Sequence, residues 1–297
     1  MSLRSILFVP GDSEKKLAKA SAGPADALIL DLEDSVAPER KPEARIAVAG
    51  HLRSQSGKRR QELWVRINPL TTDEALPDLA AIVGGRPDTL LLPKAAGAED
   101  VVRLDHHLSA LEVREGLPPG GIKVVVVATE TGAAMFGLGS YSPATPRLRG
   151  LTWGAEDLAA AVGAASNAEA DGVLTPLYQM ARALCLAAAA AADVEAVDTA
   201  YMGIGDPEGL RRVCDAARRD GFRSKLAIHP DQVEIINAAF SPSEAEVAHA
   251  RRVCELFAAN PGAGTLKLDG RMLDIPHLKQ ARRILALSEE LAARQGA

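Results

Sequence analysis

The sequence predicts an α/β protein, a (β/α)8 TIM barrel followed by a C-terminal lid made of helices and a hairpin. Short, nearly continuous apolar runs recur eight times, as parallel strands covered on both faces do. Amphipathic or Ala-rich stretches separate these runs, which is the alternation of a barrel. Of the 297 residues, 47% are hydrophobic and only 3% are aromatic, so we expect Leu, Ile, Val and Ala to fill the core.

The predicted strands follow one another at spacings that leave room for a helix between each pair. They are residues 5–9, 27–32, 63–67, 89–92, 123–128, 148–153, 199–202 and 225–228. Residues 99–115 and 207–221 are typical of the helices between them. A doubly wound open sheet gives the same alternation and is the alternative fold. No GxGxxG motif follows the first strand, which disfavours the dinucleotide-binding form of that sheet.

The sequence divides into a barrel over residues 1–230 and an extension over residues 231–297, for which we expect a role as a lid or in oligomerisation. In the extension, residues 241–259 have the pattern of a helix capped by Ser241 or Ser243. The stretch "TLKLDGRMLDIP" predicts a short hairpin, and "HLKQARRILALSEELAARQ" predicts a final helix.

Composition limits the classes of partner. The formal net charge of -5 disfavours nucleic acid and anionic membranes, which select a basic surface. Cys185, Cys214 and Cys254 lack metal-ligand spacing, which favours reduced thiols and a cytoplasmic location. The first apolar run is too short for a secretion signal, and no uninterrupted apolar stretch reaches the length of a membrane span.

Two acidic residues follow adjacent predicted strands. Glu130 comes after the fifth strand, and Asp157 follows the sixth in "LTWGAEDLAAAVG". Barrel enzymes carry their chemistry at the carboxyl ends of the strands, so both carboxylates are expected on the same side of the barrel mouth. Magnesium is commonly held by one or two carboxylates together with water and substrate oxygens. The alternative is that each acid caps the helix that follows it.

Basic residues also occur at predicted strand ends. Arg66 interrupts an apolar strand, where a guanidinium requires an anionic partner, either a substrate oxygen pair or Glu33 or Asp34. Lys94 has the same two interpretations, with an ion pair favoured. Arg4, Lys15 and Lys16 near a helix start suit a phosphate, although a solvated lysine face is the favoured interpretation. His229, before a proline, has the pattern of a structural histidine.

Several motifs occur together in one order along the chain. They are "RSILFVPG", "LILDLEDSVAPERKPEAR", "VRIN", "LLPKA", "ATETGAAM", "LTWGAEDLAAAVG", "KLAIHP" and "LDGRMLDIPHLKQARRIL". As a set they resemble the citrate lyase beta-subunit-like CoA-ester lyases, the group of malyl-CoA and citramalyl-CoA lyases within the HpcH/HpaI aldolase superfamily. The resemblance extends from residue 4 to about residue 286.

The resemblance implies a magnesium-dependent barrel enzyme, usually a homotrimer. Such enzymes cleave a 3-hydroxyacyl-CoA into an acyl-CoA and a 2-oxo acid such as glyoxylate or pyruvate. They also catalyse the reverse condensation. Glu130 and Asp157 match the metal ligands, and Arg66 matches the arginine beside the reacting oxygen. Asp274 matches an acid that the lid of one subunit delivers to its neighbour's site.

Further contacts follow from the same resemblance. The segments holding Arg4, Lys16 and His229 correspond to regions that meet CoA. We expect the backbone N–H groups of Gly154, Ala155 and Glu156, at a helix start, to bind the substrate carboxylate.

One departure and three alternative functions accompany this interpretation. Pyruvate aldolases of the superfamily resemble a pattern with a histidine base after the second strand, whereas "DLEDSVAP" contains no histidine, so that branch is disfavoured. A citrate lyase beta subunit acting on citryl-acyl-carrier protein is one alternative. A malyl-CoA thioesterase is another, and a noncatalytic barrel that serves as a scaffold subunit is the third.

Overall fold

The structure, a computed structural model, describes residues 3–57, 59–142 and 144–295. The strands are β1 (Ser5–Pro10), β2 (Ala27–Asp31), β3 (Glu62–Arg66), β4 (Thr89–Leu92), β5 (Lys123–Val127), β6 (Leu148–Thr152), β7 (Glu195–Asp198), β8 (Ser224–Ala227), β9 (Thr265–Leu268) and β10 (Arg271–Asp274). The helices are α1 (Glu14–Ser21), α2 (Lys41–Ser54), α3 (Ala75–Ile82), α4 (Ala98–Arg114), α5 (Gly132–Gly137), α6 (Ala155–Val162), α7 (Pro176–Ala191), α8 (Pro207–Asp220), α9 (Pro230–Ala239), α10 (Glu244–Ala259) and α11 (Ile275–Gln295).

Strands β1 to β8 form a closed barrel in sequence order. Every neighbouring pair is parallel, and β1 closes the barrel by pairing with β8, where Ser5 faces Lys225. Closure confirms the predicted (β/α)8 fold and excludes the open sheet, in which the first and last strands would not pair.

Apolar side chains of all but one of the barrel strands meet in a shared core. The cluster comprises Leu3, Ile6, Ala27, Ile29, Trp64, Leu91, Val125, Val127, Val197 and Leu226. Each fully buried Leu or Ile contributes about 1.5–3 kcal/mol relative to an exposed position. The barrel core is therefore mainly aliphatic, as predicted, and Trp64 is the one aromatic residue among the described buried residues of this cluster.

The seventh strand lies earlier than predicted. The sequence pattern indicated residues 199–202, whereas β7 is Glu195–Asp198. The charged residues at both ends of β7 obscured a strand whose middle residues, Ala196 and Val197, are buried. Asp198 is accommodated in the barrel by the ammonium of Lys225 at 2.6 Å and the indole N–H of Trp153 at 2.8 Å. Met202, in the predicted strand, is 58% exposed and lies in the loop that follows β7.

Three of the helices that follow barrel strands begin with a capping side chain. Ser13, Thr131 and Asp206 each accept a backbone N–H at the starts of α1, α5 and α8. Such caps satisfy N–H groups that a helix start leaves unpaired. Across the described ranges of the chain, no helix combines the length and apolar character needed to cross a bilayer.

A buried ion-pair cluster lies near the amino-terminal end of the barrel. Arg147, just before β6, is 2% exposed and donates to Glu112 at 2.9 and 2.6 Å. It also pairs with Asp105 and donates to the Ser109 hydroxyl at 2.9 Å. Glu112 further accepts the Ile122 N–H at 2.9 Å, so this carboxylate is surrounded by donors.

Contacts divide the chain into two compact units, one of residues 3–237 and one that begins at residue 238. In the second unit, Ser243 caps α10 in a capping box with Glu246, as one of the two predicted caps. Strands β9 and β10 form the predicted antiparallel hairpin, and α11 follows it directly. The core of this second unit consists of Ala250, Val253, Phe257, Leu273, Leu278 and Ala281.

Candidate active site

Arg66 and Asp31 form the base of the candidate site. They are the last residues of β3 and β2 and face each other in the strand register. The guanidinium donates Nε–H and Nη2–H to the two Asp31 oxygens, both at 2.7 Å, in the bidentate geometry that suits arginine. It also stacks over the Phe8 ring at 4.8 Å. Although burial opposes charge on both groups, the pair raises the pKa of Arg66 and lowers that of Asp31.

Glu33 lies between the two cations of the site. Its Oε1 accepts a hydrogen bond from Lys94 Nζ at 2.5 Å, and its Oε2 lies 2.8 Å from Arg66 Nη1 as an ion pair. The geometry of that ion pair is not that of a hydrogen bond, and in the described part of the chain Oε2 is a buried oxygen without a donor. Burial raises the pKa of Glu33, against the opposing effect of Arg66 and Lys94.

Lys94 follows β4 and pairs with acids from the loop after β2 and from the first turn of α6. Besides Glu33, its ammonium lies 3.0 Å from Asp34 Oδ2 and 3.4 Å from Asp157 Oδ1. Burial disfavours its charge, but the Glu33 and Asp34 carboxylates outweigh burial and raise the pKa of Lys94. The predicted ion pair is therefore present, and it includes both acids named as alternatives.

Glu130 is buried at 3% exposure and accepts the backbone N–H of Lys94 at 2.5 Å through Oε2. Among the described residues no hydrogen bond reaches its other oxygen. Burial raises the pKa of Glu130 to about 8; the Lys94 N–H opposes this shift, and the carboxylates of Asp157 and Glu33 add to it. A Cβ on Gly154 would lie 2.9 Å from Glu130 Cγ, so the glycine leaves the space that this side chain uses.

Asp157 stands in the first turn of α6 and is one-third exposed. It is the third residue of the helix and not the cap, which is Gly154. Glu130 likewise precedes Thr131, which caps α5 through its hydroxyl. Neither acid caps the helix that follows it, so helix capping does not explain the pair.

The carboxylate-rich cluster fits a hard divalent cation. Five carboxylates lie around two cationic side chains, Arg66 and Lys94. They are Asp31, Glu33, Asp34, Glu130 and Asp157. In residues 3–57, 59–142 and 144–295, no group of three or more His, Cys, Asp or Glu side chains is placed so that it could hold a metal ion. An open pair of carboxylates is the arrangement in which magnesium keeps water and substrate oxygens as its remaining ligands.

The start of α6 leaves backbone donors available. The Gly154 N–H donates to the Thr129 hydroxyl at 3.1 Å, and its contact with substrate stays a prediction. The Glu156 side chain is exposed and accepts from Asn167 at 2.7 Å. Unlike α5, this helix has no side-chain cap in the described structure. The N–H groups of Ala155 and Glu156 therefore remain candidates for an anion.

The other residues assigned to CoA occupy different places. Arg4 precedes β1, at the amino-terminal end of the barrel, and its guanidinium holds Asp26 at 2.9 and 2.8 Å. The structure does not bring Arg4 together with Arg66. Lys16 is exposed in the first turn of α1, after the carboxyl end of β1. His229 follows β8, is 40% exposed, and its Nδ1 accepts the Asp231 N–H at 3.3 Å.

Asp274 belongs to the C-terminal unit. It ends β10, and its Oδ1 lies 2.5 Å from His277 Nδ1. The two residues also exchange backbone contacts, with the His277 N–H 3.4 Å from Asp274 Oδ1 and the Asp274 N–H 3.2 Å from His277 Nδ1. This is the geometry of a helix cap for α11. The His277 contact lowers the pKa of Asp274, so the carboxylate is charged at neutral pH.

Sequence reasoning named Arg66, Glu130 and Asp157, which the structure gathers at one end of the barrel. It did not name Asp31 as the partner of Arg66. The available signal was that both residues end neighbouring strands, and parallel pairing sets such residues side by side. It also did not foresee that Lys94 contacts both predicted metal ligands.

Residues 4–230 match the family described as HpcH/HpaI aldolase/citrate lyase. The chain belongs to this family. A (3S)-malyl-CoA thioesterase of Cereibacter sphaeroides is 35% identical over 292 residues, covering 98% of this chain and 96% of the relative. A citrate lyase subunit beta of Haemophilus influenzae is 33% identical over 284 residues, covering 95% of both. Membership confirms the predicted family and supports a lyase in general terms.

A solved structure of a family relative has the same fold. CitE from Mycobacterium tuberculosis, in complex with magnesium, acetoacetate and coenzyme A, has a TM-score of 0.79 and 32% sequence identity. The match covers 97% of this chain and 98% of that protein. Fold and family therefore agree with the barrel architecture described above.

Proposed function

We propose that this family member is a magnesium-dependent carbon-carbon lyase. It cleaves a 3-hydroxyacyl-CoA such as malyl-CoA or citramalyl-CoA into an acyl-CoA and glyoxylate or pyruvate, or it forms the ester from these two compounds. The observation that carries the proposal is the approach of Glu130 and Asp157 to one lysine, Lys94, beside Arg66. The magnesium and coenzyme A complex of the Mycobacterium tuberculosis relative supports it.

Glu130 and Asp157 would hold the magnesium ion. When bound, magnesium supplies a Lewis acid that lowers the energy of negative charge on the 2-hydroxy acid portion of the substrate. The raised pKa of Glu130 fits this role, because a buried carboxylate with one hydrogen-bond donor gains most from a cation.

Arg66 would stabilise the oxyanion that develops as the carbon-carbon bond breaks. Asp31 fixes the guanidinium in one orientation, and the raised pKa keeps it charged. Donors that are fixed before the reaction begins need no reorganisation during it, which makes this kind of stabilisation large. The Ala155 and Glu156 N–H groups would orient the substrate carboxylate.

Lys16 and His229 follow the carboxyl ends of their strands and would contact the CoA portion. Asp274 would transfer the α-proton, removing it from the acyl-CoA in condensation and returning it in cleavage. Its lowered pKa suits the base form. By resemblance, it acts from a neighbouring subunit of a homotrimer.

A substrate panel tests the lyase activity. Purified protein is mixed with malyl-CoA, citramalyl-CoA and related esters plus magnesium, and both products are followed by mass spectrometry. We expect an acyl-CoA together with glyoxylate or pyruvate, and loss of activity in EDTA that added magnesium restores. Full activity in EDTA would remove the metal from the proposal.

The role of Asp274 has its own test. Asp274→Ala should bind CoA esters normally and lose turnover, because it keeps the barrel site and loses the proton-transfer group. Calorimetry measures binding and product formation measures turnover. His277→Ala is the control, since it removes the same cap contact and leaves the carboxylate in place. Normal turnover by Asp274→Ala excludes the residue from the mechanism.

A thioesterase is the second candidate, favoured by the 35% identical malyl-CoA thioesterase of Cereibacter sphaeroides. It would release free malate and CoA, whereas a lyase releases glyoxylate and an acyl-CoA. The citrate lyase beta subunit is a further alternative, supported by the Haemophilus influenzae relative. Cleavage of free CoA esters by the purified chain excludes dependence on an acyl-carrier protein. A noncatalytic scaffold is expected to bind no magnesium.

A further inference from the structure

Lys94 contacts four of the acidic residues in the candidate site. Its N–H donates to Glu130, and its ammonium contacts Glu33, Asp34 and Asp157. These acids come from the segments that follow β2, β5 and β6, and Asp157 lies in the first turn of α6. One residue therefore connects both proposed magnesium ligands to a third carboxylate, Glu33, that borders Arg66.

The backbone of Lys94 is adapted to this double contact. Its φ angle is 52°, in the left-handed region that a residue with a Cβ seldom adopts. In this conformation, the N–H points to Glu130 while the side chain reaches the other carboxylates. Strained backbone of this kind persists where surrounding contacts enforce it, and it clusters at functional sites.

The Glu33 contact determines which donors of Arg66 remain available. The Arg66 Nε–H and one Nη2–H are used by Asp31. Nη1 borders Glu33 Oε2 without a hydrogen bond, while Lys94 occupies Glu33 Oε1. Without the lysine, Glu33 would be free to turn both oxygens toward Arg66 and take up its remaining donors.

We propose that Lys94 is a positioning residue: its ammonium holds Glu33 away from the free donors of Arg66 and holds Asp157 in place beside Glu130. This inference rests on the proposed lyase function. It assigns to the side chain of Lys94 an effect on turnover that is separate from retention of the metal. The ammonium is itself a cation beside Asp157, so removing it does not by itself weaken the attraction for magnesium.

The test compares Lys94→Gln, Lys94→Arg and Lys94→Gly with Lys123→Gln. Lys123 is the control because its ammonium contacts backbone carbonyls of Gly120 and Pro146, at 3.1 and 3.4 Å, near the start of β5. Lys94→Gly keeps the N–H and suits the positive φ, so it tests the side chain even where Lys94→Gln folds poorly. Each variant is assayed for kcat and KM and titrated with magnesium by calorimetry.

We expect kcat to fall about 10–100-fold in Lys94→Gln and Lys94→Gly, as for other residues that orient a metal site. KM for the CoA ester and the magnesium Kd should stay within about threefold of the wild-type values. Lys94→Arg should recover part of the loss, and Lys123→Gln should retain kcat. A normal kcat in Lys94→Gln and Lys94→Gly overturns the proposal. So does a loss that saturating magnesium fully restores, because Lys94 would then serve only metal retention.

Failure of the lyase proposal is recognised separately. It is a property of the wild-type protein, seen as absence of metal-dependent cleavage for the whole ester panel. The positioning role of Lys94 is judged only when the wild-type protein is active, and it then fails if the variants are equally active or if saturating magnesium fully restores their activity.

Discussion

Glu130 and Glu112 are both buried glutamates of the barrel unit, but their surroundings are opposite. Glu112, near the amino-terminal end, receives two guanidinium N–H donors of Arg147 and the N–H groups of Gly120 and Ile122. Burial opposes ionisation, but these donors outweigh it and lower the pKa of Glu112. Glu130, at the carboxyl end, receives one N–H and faces other carboxylates, and burial raises its pKa to about 8.

The difference separates a structural carboxylate from one arranged for a ligand. A saturated carboxylate such as Glu112 has no need of a further partner, and adding one would displace a donor. A carboxylate short of donors costs folding free energy that a bound cation recovers. The two ends of one barrel thus hold charged clusters of similar composition, but the cluster around Glu112 stabilises the fold whereas the one around Glu130 is suited to a bound cation.

The strongest way to break this comparison is to remove the proposed ligands. Glu130→Gln and Asp157→Asn should each lower metal-dependent turnover by about a thousandfold or more, since each removes a ligand of the group that stabilises the transition state. Circular dichroism and thermal unfolding should show a folded protein. Turnover near the wild-type rate in either variant would place the metal elsewhere.

Changing the cation beside the ligands should have the next largest effect. Arg66→Lys keeps a positive charge but cannot hold Asp31 through two parallel hydrogen bonds. We expect kcat to fall about 100- to 1000-fold, the size reported for loss of an oxyanion donor. Steady-state kinetics at saturating magnesium measures the effect. A change confined to KM would assign Arg66 to substrate binding alone.

A smaller effect is expected from crowding the Glu130 side chain. In Gly154→Ala, the new Cβ would lie 2.9 Å from Glu130 Cγ, so the carboxylate must move. Magnesium affinity should weaken about 10–100-fold, as measured by calorimetry. Gly132→Ala is the matched control, because a Cβ there meets no atom within 4 Å. Equal affinity in both variants would contradict the placement of Glu130.

A substitution in the ion-pair cluster of Arg147 and Glu112 should lower the free energy of unfolding and leave turnover unchanged. Glu112→Gln leaves Arg147 buried with one carboxylate fewer, at a cost of about 3 kcal/mol in the free energy of unfolding. Urea titrations at several pH values measure it. Because the folded pKa of Glu112 is below its usual 4.5, the wild-type advantage is fully present above that value. It is lost as the pH falls through the folded pKa, so the two proteins converge in acid. A cost that persists unchanged in acid would contradict this ionised pair.

The sequence predicted the barrel because apolar runs and helices alternate along the chain, a feature that needs no long-range information. It misplaced the seventh strand because Glu195 and Asp198 are charged, and only tertiary partners such as Lys225 explain a buried acid there. Capping in the C-terminal unit was read correctly at Ser243, since a capping box is a local pattern.

The candidate site was predictable to the extent that strand ends converge in a barrel. Arg66, Glu130 and Asp157 follow from that rule. The Asp31 partner depends on strand register, and the double contact of Lys94 depends on a positive φ, neither of which is visible in composition or periodicity. Arg4 precedes its strand and therefore lies at the amino-terminal end of the barrel, a placement that its motif did not indicate. Its contact with CoA stays a prediction.

The direct passage from β10 into α11 fixes the backbone that carries Asp274. Asp274 ends the strand and Ile275 begins the helix, so no loop allows the carboxylate to swing independently. Under the proposed role of Asp274 in the site of a neighbouring subunit, we expect specific activity to fall when the protein is diluted below its assembly threshold, while each barrel stays folded.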